Sequence, residues 1–163
     1  MKKHHIRFLN NHSGSIVLGF SDALVELTGV LAGLTLTLDT TLVIGAVGFI
    51  TGISASLSMA ASEFLSSQEE GKPSPFFSGF ITGVAYVCTV LALVSPYFFF
   101  SNPFSALACS VLIALFVIFF FNYRISQKKK APFRKRFVQM AMITLGVAAI
   151  SFSMGHLVNV YIL

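Results

Sequence analysis

Three of the six acidic residues in this chain, Asp22, Glu26 and Glu63, stand inside stretches that are otherwise almost pure hydrocarbon. An ionised carboxylate near the centre of a bilayer costs about 2.5 to 3.5 kcal/mol on insertion scales, so such a side chain ordinarily faces a protein interior, a partner or a water-filled path. Asp22 and Glu26 are four residues apart, as are Met59 and Glu63, and a helix sets that spacing on one face. Each of two helices can therefore present a pair. No Lys or Arg lies in the apolar core of any such stretch, which leaves a proton, water or a bound cation to compensate the charge. Carboxylate oxygen is a hard ligand for divalent ions, whereas thioether sulfur is softer and favours late or borderline metals over magnesium and calcium. Asp22, Glu26, Met59 and Glu63 are thus the candidate metal ligands, suited to iron(II) or manganese(II), with the carboxylates carrying protons when the metal leaves. Taken singly, Met59 is as readily a pliable packing residue, and Glu63, near the end of its stretch, can extend to the interface. The two pairs together favour the metal.

The elements that would position these residues are membrane helices. At 163 residues, 55% hydrophobic and 10% charged, the chain carries more apolar surface than one soluble domain can hide. A bilayer core takes about 20 apolar residues to cross as a helix. Five segments qualify, at residues 15–38, 42–66, 76–99, 104–123 and 137–162, giving an all-α integral membrane protein with a single domain over residues 1–163. Pro73, Pro75, Pro96, Pro103 and Pro132 fall at or near segment ends, where a missing donor costs least. With the N-terminus inside, all eleven Lys and Arg fall on the inner side, which predicts a cytoplasmic N-terminus and an external C-terminus. The basic N-terminal segment is not followed by a short apolar core with a cleavage site, so no cleaved signal peptide is expected.

Other features have ordinary readings. The net charge of +5 is explained by membrane orientation, and no nucleic-acid partner is expected. The run "RISQKKKAPFRKR" is topogenic, with lipid head groups as the competing reading. Tyr97, Tyr123 and Tyr161 sit near span ends as interfacial anchors, and the phenylalanine runs 98–100 and 119–121 face lipid or pack. Gly29 and Gly33, then Gly45, Gly48, Gly52 and Ser56, allow close approach of helices from one chain or from two. Ser54, Ser58 and Ser62 form a hydroxyl stripe that either lines a pore or bonds to its own helix. Cys88 and Cys109 have no metal or redox spacing and are packing residues. His156 reads as an outward half-span histidine bonded to a neighbour, with a proton relay or a ligand beside Met154 as the competing reading, and His4, His5 and His12 as a polar head, with metal recruitment competing.

With those residues in view, the chain resembles the vacuolar iron transporter family. The resemblance is carried by "HSGSIVLGFSDALVELTGVLAGLT", "ITGISASLSMAASEFLSS" and "ITLGVAAISFSMGHLV" in the first, second and fifth spans, and in the third and fourth spans by hydrophobicity alone. It implies a homodimer of five-span subunits exporting iron(II) or manganese(II) in exchange for protons. It also implies an ion path at the dimer interface lined by Asp22, Met59 and Glu63. Glu26 belongs to the "ALVELTG" form associated with compact bacterial members, so the expected location is a bacterial inner membrane, among lipid. Two departures stand out. Only "QEEGKPSP" occupies the place of the glutamate-rich cytoplasmic metal-collecting domain of many members, with Glu69 and Glu70 as ordinary loop charges, and Phe152 stands where many relatives carry tyrosine.

Catalysis is not expected, nor a permanently bound cofactor. A di-iron centre would need Glu-x-x-His pairs, which are absent, and Ser153 with His156 lacks any supporting nucleophile motif. The competing reading to proton-coupled export is a membrane metal sensor or structural protein that binds without transporting.

Overall fold

The computed structural model describes residues 13–129 and 132–162, so His4, His5 and His12 lie outside the described residues. In chain order the helices are α1 (Ser13–Thr37), α2 (Thr41–Glu69), α3 (Pro75–Val94), the four-residue α4 (Pro96–Phe99), α5 (Pro103–Lys129) and α6 (Phe133–Tyr161). No strand occurs among the described residues, and five helical stretches are long and apolar enough to cross a membrane, with α3 and α4 forming one of them.

Local sequence explains the helix ends. Proline occupies the first turn of α3, where its missing N–H is not needed. Asn102 caps α5, its Oδ1 accepting the backbone N–H of Phe104 at 2.9 Å and of Ser105 at 3.3 Å. Pro96 interrupts the third span, and it cannot donate to the carbonyl of Ala92. The Ser95 hydroxyl donates to that carbonyl instead, at 2.9 Å, so the break leaves no orphan in an apolar setting.

Some helices outrun the sequence-derived spans. α2 continues to Glu69, α5 to Lys129, and α6 begins at Phe133, so most of the expected connection over 124–136 is helical. Hydropathy marks where hydrocarbon ends. A helix of Arg, Lys, Gln and Ser continues into water without difficulty.

α1 is the central helix, packing along α6 and α3 and also touching α2 and α5, while α2 packs along α3. Leu24, Leu27 and Leu31 of α1 enter a core with Ile44, Tyr86, Val90, Leu93, Tyr97 and Ile118. Tyr97 is a correction to the sequence reading. It is 0% exposed, with its hydroxyl 2.7 Å from that of Thr35, because it packs against α1 and not at a membrane surface. Tyr123 and Tyr161 are exposed as expected of interfacial residues.

α6 is seated differently. Its buried residues are small, Ala141, Thr144, Ala148 and Gly155, and a side chain at Gly155 would overlap the backbone oxygen of Gly33. Gly29 faces Val147 and Ser151, and Asn159 donates to the Leu36 carbonyl. Gly45, Gly48 and Gly52 likewise face Tyr97, Leu31 and Val90. The small residues therefore serve contacts within one chain. Large apolar residues such as Ile50, Leu57, Leu112, Phe116, Met142 and Ile150 cover the outside, as a lipid-facing surface requires.

Candidate functional site

Glu63 sits near the C-terminal end of α2 and is only 6% exposed. Its Oε1 accepts the hydroxyl of Ser15 from α1 at 2.7 Å and that of Ser67, one turn along α2, at 3.1 Å. Lys72 Nζ lies 3.5 Å from the same oxygen. No Lys or Arg lies in a span core, yet one reaches Glu63 from beyond the end of α2. Lys72 is outside any span, and the turn after α2 brings it back.

That turn follows from Gly71, whose φ of +64° is the left-handed conformation that glycine adopts without a Cβ penalty. The Gly71 N–H donates to Gln68 O at 3.1 Å and the Lys72 N–H to Ser67 O at 3.0 Å, the paired bonds of a Schellman cap. The chain is folded back over the last turn of α2. Lys72 also meets Glu70 Oε2 at 3.1 Å, and Ser66 donates to Glu70 Oε1 at 3.2 Å. The hydrogen bond from Lys72, with that from Ser66, holds the Glu70 carboxyl below its ordinary range.

On α1, Ser15, Asp22 and Glu26 lie seven and four residues apart and so share a face. Thr82 of α3 donates to the Ser15 carbonyl at 3.1 Å and fixes the start of this face. Asp22 is half-buried and lines a cavity of about 380 Å³ between α1, α5 and α6, together with Phe121, Asn122, Arg136, Gln139 and Met140. Glu26 is exposed on the single chain, and its Oε2 accepts the hydroxyl of Tyr86 of α3 at 2.7 Å. Tyr86 itself is 1% exposed. Met59, part-buried against the apolar core, shares the inward face of α2 with buried Ser56 and Glu63.

The two helices are antiparallel and in step. Ser15 meets Glu63, and Leu31, sixteen residues on, faces Gly48, fifteen residues back along α2. With a rise of 1.5 Å per residue, the four candidate ligands succeed one another in depth. Taking Glu63 as the start, Met59 is about 6 Å deeper, Asp22 about 10 Å and Glu26 about 16 Å. Within one chain they form a ladder, and among the described residues no group of three His, Cys, Asp or Glu gathers to hold a metal.

Sequence reasoning missed three of the polar partners. Ser15 and Tyr86 look like unremarkable members of apolar helices, and Lys72 looks like a loop charge. The one available signal for Lys72 is glycine after a helix with proline two residues on, which marks a C-cap. The hydroxyls of Ser54, Ser58 and Ser62 are exposed on the outer face of α2 and line no channel within the chain. His156 is exposed, and the Ser153 hydroxyl donates to Ala149 O at 2.8 Å, not to a histidine.

Residues 14–73 match the family model described as the VIT family. The match covers α1, α2 and the turn that carries Lys72, so this part of the chain is similar to that family. With five helices long and apolar enough to span a membrane, the likeness is in keeping with a membrane transporter. No curated protein matches the chain.

Proposed function

We propose, taking the VIT-family match over α1 and α2 as the premise, that this chain exports iron(II) or manganese(II) across the membrane in exchange for protons. The observation that carries this reading is the succession Glu63, Met59, Asp22, Glu26 on two antiparallel helices, with donors strung out in depth. Spaced ligands suit a passing ion better than a stored one, since each step needs an acceptor that binds without trapping. Carboxylates vacated by the metal take up protons, and both charges are thereby compensated in turn.

The path lies between two copies of the chain. Glu26 is exposed on one chain, and a carboxylate at that depth needs cover from hydrocarbon. Lys72, Arg124, Arg134, Lys135 and Arg136 set the cytoplasmic side, and the C-terminal end of α6 lies outside, in a bacterial inner membrane.

Proton flux driven by metal in proteoliposomes tests the reading. Asp22→Ala and Glu63→Ala should each fall to the level of empty vesicles while the purified protein stays dimeric. Undiminished flux in both would remove these residues from the mechanism. Equilibrium metal binding without flux in the unaltered protein would replace the exporter by a sensor. A series over Fe, Mn, Co, Ni and Zn fixes the preferred ion.

A further inference from the structure

We infer that Lys72 is a tethered counter-cation for Glu63, and that an arriving divalent cation gains this carboxylate by shifting the lysine ammonium onto Glu70. The inference rests on the reading of Glu63 as a ligand of the transported ion. It adds a residue that sets the affinity at the entrance of the path.

Three features carry it. First, the Glu63 donors all converge on one oxygen. Ser15, Ser67 and Lys72 reach Oε1 at 2.7, 3.1 and 3.5 Å, and none of the described residues donates to Oε2, an open acceptor on a nearly buried carboxylate. Second, the ammonium is already shared. It stands 3.1 Å from Glu70 Oε2, closer than its 3.5 Å to Glu63, and 3.4 Å from the Ser67 hydroxyl. Third, its backbone is fixed. The Schellman bond from the Lys72 N–H to Ser67 O anchors the residue over the last turn of α2, so only the side chain has to move.

The physical consequence is competition between cations. Without metal, Lys72 partly neutralises a carboxylate that would be costly to leave alone near the bilayer. A divalent ion bound through Oε2 would sit within a few ångströms of the ammonium, and the two positive charges repel. Glu70, exposed and held by Ser66, gives the ammonium somewhere to go. Lys72 is 37% exposed, so water screens the repulsion and the expected effect is modest, about fivefold in affinity.

The test is manganese(II) binding to the purified full chain, read from the loss of the free-ion paramagnetic resonance signal. Lys72→Gln should tighten binding about fivefold, and Lys72→Arg, which restores the charge, should recover the weaker affinity. Glu70→Gln should weaken binding, and combining it with Lys72→Gln should give the affinity of Lys72→Gln alone, because Glu70 acts through the lysine. A purely structural lysine would not tighten binding on removal. Unchanged or weaker binding in Lys72→Gln, with binding still lost in Glu63→Gln, overturns the competition and leaves the site intact. A Glu70→Gln defect that persists in the Lys72→Gln background makes Glu70 a ligand and overturns the transfer. Binding that survives Glu63→Gln removes the underlying ligand reading, and the inference falls with it.

Discussion

Glu63 and Asp22 are like charges on two touching helices joined by the short turn at residues 38–40, and their surroundings are opposites. Glu63 is enclosed by donors from α1, from its own helix and from the turn after it. Asp22 faces a cavity, and among the described residues no hydrogen bond to its carboxylate is recorded. A membrane protein can thus keep a carboxylate in two ways, by supplying its own donors or by leaving it open to whatever enters. The first makes the group part of the framework as well as a ligand. The second gives it nothing to hold, so its presence needs a functional cause.

The largest expected effect separates these roles by stability. Glu63→Ala leaves the buried Ser15 and Ser67 hydroxyls without their acceptor and Lys72 without one of its two carboxylates, and should cost about 2 to 3 kcal/mol. Asp22→Ala removes a poorly compensated charge and should leave stability within about 0.5 kcal/mol. Thermal unfolding of each variant in detergent reads the difference. Equal losses would erase the contrast, and a large loss for Asp22→Ala alone would reverse it.

Glu26 is the intermediate case, since it has one donor and no enclosure. Tyr86→Phe removes that donor without changing the packing of the ring, and should cost about 1 kcal/mol by the same measurement. A cost as large as that of Glu63→Ala would place Glu26 with the enclosed carboxylates. A comparable loss is expected of Gly71→Ala, where no atom crowds the new methyl and the penalty comes from the left-handed backbone alone, about 1 kcal/mol. By displacing Lys72, this change should shift manganese affinity in the same direction as Lys72→Gln, which a stability effect elsewhere would not do.

The sequence announces the charges and hides their partners. The five spans are legible because each is a long apolar run, and the pairs Asp22 with Glu26 and Met59 with Glu63 are legible because helical spacing is fixed. Helix ends in water carry no hydropathy signal, so α5 and α6 begin or end beyond their spans. Tyr97 stands near a span end, but nearness to an end does not say which way a ring points, and Thr35 across the bundle decides that. Ser15 reaches Glu63 across 48 residues and Tyr86 reaches Glu26 across 60, distances in sequence that only the packing of α1 against α2 and α3 can close.

The smallest effect concerns the turn at its outermost point, and it asks whether the enclosure of Glu63 extends to Glu70. The Glu70 carboxyl is held below its ordinary value of 4.5, first by its hydrogen bond to Lys72 and then by that to Ser66. A carboxylate whose folded value is lowered contributes stability that is fully present above the unfolded value and is lost as pH falls through the folded one. Acidification through the carboxylate range should therefore loosen Glu70 from Lys72, and concentrated salt should do the same at neutral pH because the pair is exposed. Titration of the Glu70 carboxyl carbon by nuclear magnetic resonance in a lipid disc reads both, and Lys72→Gln should move its midpoint up towards the ordinary value. If the midpoint stays low without Lys72, Ser66 alone orders this carboxylate, and the polar enclosure that distinguishes Glu63 from Asp22 ends at the lysine.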